Sequence, residues 1–401
     1  MPTASNSIQS LLEDERTRRA FEFFADHADQ ITNEQISICT IAAPPFGEAN
    51  RAEFMRRRFA ELGLNEAKID AEGNVLALRR GRSERPLLVV SAHLDTVFAA
   101  ETDLTVRRED SKIFAPGIMD DACGLVALVA LAEALQKFQI ETSGTILFVA
   151  TVGEEAAGNL RGVRHLFLNG EFAGRIDAFV SLDGAGVQQI VNAALGSRRY
   201  KIMMSGSGGH SWLDFGAANP VHALGRAVAK LAAYPLPKKH KTTFNVGRIA
   251  GGASVNVIPE TAEIEVDLRS ESEAELQRLD AFFRRAVAEA VEEENAARSP
   301  KSSPLEIESN LTGTRPSGIT AETDALVKAA IEATLAVGVE PSLAMSSTDS
   351  NFPMSLNIPS VTLGAGGAGD KMHTLGEWFD PTGREIGLQR ALLLILAHAG
   401  I

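Results

Sequence analysis

Several short, nearly unbroken apolar runs in this chain each end in a carboxylate or a histidine, and this pattern restricts the fold more than any other feature. Residues 87–92 are followed by His93 and Asp95, residues 145–152 by Glu154 and Glu155, and residues 178–182 by Asp183. Residues 360–364 lead through a glycine-rich loop to His373. Runs of this length without polar alternation are what strands buried on both faces require. Between them lie helical stretches; residues 120–138 place Leu125, Leu128, Val129, Ala132 and Leu135 at helical spacing. Strand alternating with helix predicts an α/β fold, a mostly parallel sheet with helices on both faces. Ligands of such a sheet collect beyond the carboxyl ends of its strands. Every polar residue just named therefore falls at one predicted edge. The loop 115–119 adds Asp120 and Asp121 there, at the start of a helix.

Near residue 196 the rhythm changes. A strand is expected at 200–205, a helix at 220–233, and strands at 242–249 and 262–269 joined by a connection that opens with Gly251 and Gly252. A long helix follows at 272–297, where Ser272 and Glu275 have capping-box spacing. A strand at 305–309 closes the unit. The order β-α-β-β-α-β is the ferredoxin-like arrangement. A stretch rich in Gly, Thr, Pro and Ser, 312–318, is expected as a linker, after which helix 322–337 resumes the earlier rhythm. At 401 residues the chain exceeds one ordinary core. We expect a discontinuous α/β domain, 1–196 with 313–401, interrupted by a smaller inserted α+β domain, 197–312. Residues 10–31 and 48–63 are expected as amphipathic helices, with Pro44 and Pro45 in the loop between them.

A formal net charge of -13 argues against nucleic acid and against anionic membrane surfaces as partners. The two cysteines, Cys39 and Cys123, offer no disulfide framework. Residues 1–14 are polar and lack the apolar stretch of a signal peptide, and no run of roughly 18 apolar residues appears. The expectation is a cytoplasmic protein.

Taken singly, the residues at the edge have ordinary readings. Asp120 or Asp121 before an apolar helix is an N-cap in most proteins, and adjacent glutamates after a strand are commonly a solvated turn. Together they are harder to dismiss, because several uncompensated carboxylates at one edge cost several kcal/mol each unless cations sit among them. Asp120, Glu155 and Asp183 carry three negative charges, and two divalent ions would supply four positive ones. Mixed nitrogen and oxygen donors suit zinc, with cobalt or manganese as substitutes.

His93-x-Asp95, the Gly117-x-x-Asp120-Asp121 segment, Glu154-Glu155, Asp183 and His373 resemble the M20 metallopeptidase family, in the same order over nearly the whole chain. The resemblance implies that His93 and Asp183 hold one ion, that Glu155 and His373 hold the other, and that Asp120 bridges them. It implies that Asp95 orients His93 and makes its ring more basic, and that Glu154 is the general base. His210, in Gly208-Gly209-His210-Ser211, would reach the partner subunit's active site and stabilise the oxyanion. Asn256 and Arg269 match positions implied to bind a substrate carboxylate, although a salt bridge within the sheet is the alternative for Arg269. The family pattern departs at Ala122-Cys123-Gly124, where many relatives have a lysine or small residue before the glycine; Cys123 is expected to be a packing residue.

The implied reaction is amide hydrolysis, with lid closure over the substrate. The segment Ser347-Thr348-Asp349-Ser350-Asn351 looks closer to the tripeptidase-like members, where Asp349 would meet a substrate α-amino group; a cap is its other reading. A di- or tripeptidase or aminopeptidase leads, and an N-acyl-amino-acid deacylase is the alternative. From another class, a catalytically silent binding or scaffold relative would have lost a ligand or the base, and none is lost. A serine hydrolase lacks its Gly-x-Ser-x-Gly elbow.

Overall fold

The apolar runs form the middle of a nine-stranded sheet in the computed structural model, which describes residues 8–64 and 66–401. Thr145–Thr151, Leu87–His93, Ala178–Leu182 and Ser360–Leu363 lie side by side and run parallel. Val75–Arg79 joins antiparallel on one side and Gln189–Ala194 on the other. Leu88, Val90 and Ala92 face a core shared with the helix Ala122–Lys137, whereas Leu87 and Val89 face Val163, Leu166 and Phe167 of the helix Arg161–Leu168. Both faces are covered, so both sets of alternating side chains are mostly apolar. The register pairs His93 with Thr151, Ser91 with Ser181, and Leu182 with Leu363. The four carboxyl ends therefore finish close to level.

A second, four-stranded antiparallel sheet was not expected. It orders Ala368–Asp370, Trp378–Asp380, Lys112–Phe114 and Arg107–Glu109. Its central pair, Trp378 with Phe114, fastens the segment after His373 beside the segment before Asp120.

The chain divides into two compact units. One reaches to Ala194 and includes Gly318–Ile401; the other is Leu195–Ser317. The second unit is an antiparallel sheet in the order Thr242–Gly251, Thr261–Ser270, Gly196–Ser205, Glu306–Arg315. Helices Pro220–Ala232 and Glu273–Ala297 pack on it through Leu224, Ala227, Leu231, Leu276, Leu279 and Phe283. The chain order β-α-β-β-α-β is the ferredoxin-like one.

Three local expectations are corrected. Residues 10–31 are not one helix. Ile8–Glu13, Glu15–Asp26 and Ala28–Cys39 are separate, because Asp14 caps the second by accepting the Thr17 N–H at 2.9 Å and the chain breaks again at His27. Ser272 stands at the N-cap of the long helix but makes no capping hydrogen bond, and Glu275 pairs with Arg278 at 2.6 Å instead. Residues 312–315 are strand rather than linker, since Glu306–Arg315 stays paired with Gly196–Ser205 to its end. Of the polar N-terminal stretch 1–14, residues 1–7 lie outside the described residues. No helix among the described residues is long and apolar enough to cross a membrane.

Candidate metal centre

Each strand end delivers its side chain as the local chain path requires. His93 is the last residue of its strand, and its Nδ1 lies 2.9 Å from the backbone carbonyl of Asp95. A proton on Nδ1 makes that hydrogen bond and leaves the Nε2 lone pair facing the pocket, as a metal-ligating histidine needs. The Asp95 carboxylate does something else. Its Oδ1 is 3.8 Å from the ring, and its two oxygens accept the N–H groups of Glu154 at 3.0 Å and Glu155 at 2.7 Å. Asp95 thus orients His93 through its main chain and fixes the paired glutamates through its side chain.

Asp120 and Asp121, joined by a cis peptide bond, face different ways. Asp120 directs Oδ1 to His93 Nε2 and Oδ2 to His373 Nε2, both at 2.9 Å. His373 Nε2 is also 2.9 Å from Glu155 Oε1. Asp121 caps the helix Ala122–Lys137 by accepting from Gly124 at 3.1 Å, and it also takes the His93 N–H at 3.0 Å and the Gly184 N–H at 3.3 Å. Its carboxylate is occupied with backbone and holds the helix start against two strand ends.

Three donor sets result: His93, Asp120 and Asp183; Asp120, Glu155 and His373; and His93, Glu154 and Glu155, each with ligand atoms within 4.8 Å of one another. The electrostatics agree that a cation belongs here. Burial, then the neighbouring Asp120, pushes the Asp183 carboxyl well up; burial also pushes Asp121 well up and raises Glu155. Burial acts on Asp120 as well, but hydrogen bonds from His373 and His93 outweigh it and hold that carboxyl well below the usual range. The contacts to Asp120 and Glu155 raise His373 to about 10. In the metal-free protein the carboxylates thus draw positive charge onto the histidines, the place a bound cation would take over, which is the behaviour of a cation-binding donor set. The residues fit two divalent ions with Asp120 common to both.

Asp349 is buried beside this group. Its Oδ2 accepts from Thr151 Oγ1 at 2.5 Å, while Oδ1 has no hydrogen-bond partner among the described residues. Burial and then Glu154 push it up to about 7. Cys123 donates to the Met119 carbonyl at 2.9 Å, and burial raises its thiol pKa well above normal, so it is an inert packing group.

The other expected residues lie in the second unit. His210 is exposed; its Nδ1 accepts the N–H groups of Trp212 at 3.2 Å and Leu213 at 3.4 Å, which places the ring proton on Nε2. Asn256 is adjacent, its carbonyl accepting the Ser211 N–H at 3.0 Å. Arg269 sits near the far end of Thr261–Ser270, paired with Asp267 at 2.6 Å. At about 3.3 Å per residue that strand places Arg269 and Asn256 at opposite ends of the sheet.

Sequence reasoning missed Glu377. This fully buried carboxylate accepts the N–H groups of Gly117 at 3.0 Å, Met119 at 2.8 Å and Asp120 at 2.9 Å. Its partners are backbone amides some 257–260 residues upstream, and no pattern of side-chain types carries that information.

The family model described as peptidase family M20/M25/M40 matches residues 89–397. The uncharacterised Bacillus subtilis protein YqjE is 25% identical over 369 residues, covering 87% of this chain and 92% of its own. A succinyl-diaminopimelate desuccinylase of Nitrosococcus oceani is 28% identical over 244 residues, covering 56% of this chain and 64% of its own length. Among solved structures, a tripeptidase of Staphylococcus aureus matches with a TM-score of 0.77 at 21% identity, covering 92% of this chain and 98% of that one.

Proposed function

This chain belongs to peptidase family M20/M25/M40 and is a metal-dependent hydrolase, and on that premise we propose that it holds two divalent ions, zinc in the first instance, and cleaves the amide bond of small peptides with a free amino terminus. One observation carries the two-ion reading: Asp120 presents one oxygen to each of two histidines that belong to different donor sets. His93 and Asp183 would hold one ion, Glu155 and His373 the other, with Asp120 between them. Ions bound there supply a Lewis acid for the scissile carbonyl and lower the pKa of the attacking water.

The chain's own residues do the rest. Glu154, set by the hydrogen bond from its N–H to Asp95, takes the proton from the attacking water and returns it to the departing nitrogen. His210 offers its Nε2–H to the developing oxyanion. Asn256 and Arg269 take the substrate carboxylate, Arg269 by exchanging Asp267 for it. Because those two residues stand at opposite ends of one sheet, a single copy of the second unit is poorly arranged to apply both to one carboxylate. A homodimer formed through residues 197–312, with His210 and Asn256 contributed by the partner copy, satisfies both.

The preference for peptides rests on Asp349. A buried carboxylate oxygen without a partner is costly unless a cation reaches it, and a substrate α-ammonium has that charge. The match to a desuccinylase supports the second reading, an N-acyl-amino-acid deacylase, in which no ammonium is present and Asp349 only braces its loop.

A mass-spectrometric cleavage screen of the zinc-loaded protein separates the two. The panel holds di- and tripeptides, the same peptides with acetylated amino termini, and N-succinyl amino acids. Cleavage confined to free amino termini is the expected outcome; cleavage confined to N-acyl amino acids would replace the peptidase reading with the deacylase one.

A further inference from the structure

The loop that delivers Asp120 is gripped from both sides by buried side chains. Its carbonyls are taken by donors: Cys39 Sγ on Pro116 at 3.4 Å, Gln35 Nε2 on Ile118 at 2.5 Å, and Cys123 Sγ on Met119 at 2.9 Å. Arg384 holds Gln35 in turn. The amides of Gly117, Met119 and Asp120 all converge on Glu377, with two bonds to Oε1 and one to Oε2. The main chain of Glu377 also participates, its carbonyl accepting the Ala115 N–H at 3.2 Å. Glu377 follows His373 by four residues and opens directly into Trp378–Asp380, which pairs with Lys112–Phe114 just before the loop. One side chain therefore ties the segment carrying His373 to the loop carrying Asp120.

We propose that Glu377 is a positioning residue for the metal centre: by binding three amides of the loop it sets Asp120 against His373 before any ion arrives. The inference rests on Asp120 and His373 being metal donors, as proposed above. Glutamine at this position would keep the size and remove the function. It offers one acceptor oxygen, and its amide nitrogen would set a donor against the Gly117 N–H. An outer residue that orients metal ligands typically contributes about ten- to hundredfold in metal affinity.

The test is a calorimetric titration of the metal-free, full-length protein with Co2+, on the parent, Glu377→Gln and Asp120→Asn, with circular dichroism and Tm of each metal-free protein alongside. The expected result is Co2+ affinity weakened about ten- to hundredfold in Glu377→Gln, with secondary structure kept. Affinity within about threefold of the parent, while Asp120→Asn loses binding, would overturn the proposal and leave the metal site standing. Parent affinity in Asp120→Asn would instead remove the site reading and the proposal with it. Should Glu377→Gln fail to fold, amide hydrogen exchange on the metal-free parent decides. Protection at Gly117, Met119 and Asp120 supports a loop set in advance, and exchange at open-loop rates contradicts it.

Discussion

Asp120 and Asp121 are neighbours with the same chemistry and opposite environments. Asp120 faces two imidazoles, whereas Asp121 faces three backbone amides and spends its charge on the fold. Which of the two turns to the histidines is decided by backbone path, and the ordinary N-cap reading of the pair applies to the second. His93, Glu155 and Asp183 were legible because each ends or closely follows a buried strand, whereas Asp120 and His373 arrive on loops and were legible only through the resemblance of the whole set. Asp95 and Glu377 show what was not legible, since both carboxylates act on main-chain N–H groups far away in sequence. Replacing Glu154 by Gln should leave the bound metal unchanged and reduce turnover by about a hundredfold or more, the usual general-base effect. Elemental analysis with a turnover assay checks it, and a loss smaller than tenfold would move the base elsewhere. His398 is a separate case. Its Nε2 is buried without a partner among the described residues, and burial lowers its pKa below the ordinary 6.5. A depressed folded value means that its contribution to stability is complete above about pH 6.5 and is lost as pH falls towards the folded value. His398→Leu should therefore lose less Tm than the parent between pH 7 and pH 5 in a series of thermal melts; an equal loss would assign the acid sensitivity to other groups.

At the scale of elements, the helix Ala122–Lys137 is buried around most of its circumference. It packs between the parallel sheet and the surrounding helices, and its first turn borders the donor cluster through Asp121. Leu128 is fully buried there, so Leu128→Ala should cost about 2–5 kcal/mol of stability. Urea unfolding measures this directly, and a change under about 1 kcal/mol would mean the cavity had collapsed. Apolar runs of five to eight residues announced the central strands. The small antiparallel sheet escaped because three-residue strands such as Trp378–Asp380 are too short to show a period. The N-terminal helices were merged because their apolar spacing runs on through Asp14 and His27, and only the cap at Asp14 separates the first two.

For the whole molecule, the buried carboxylates make metal and stability inseparable. Each ion at a hundredfold excess over its Kd adds about 2.7 kcal/mol to the folded state, so that two such ions correspond to roughly 10 °C in Tm for a unit of this size. Chelation should lower Tm by that amount and zinc should restore it. An unchanged Tm would take the ions out of the account. The α/β class and the ferredoxin-like order were visible in the sequence because both rest on element order. The four-stranded sheet of the second unit, however, extends further than the sequence suggested, because Glu306–Arg315 stays paired with Gly196–Ser205 to its end. The chain enters and leaves that sheet on adjacent antiparallel strands, Ser197 paired with Arg315, while outside it Ala194 pairs with Gly318. Entry and exit are thus next to each other, as at the mouth of a hairpin. Everything between them can be lengthened, exchanged for another module or replaced by a tight turn without shifting the register of the host strands, so the host architecture and its passenger are free to diversify on separate evolutionary clocks.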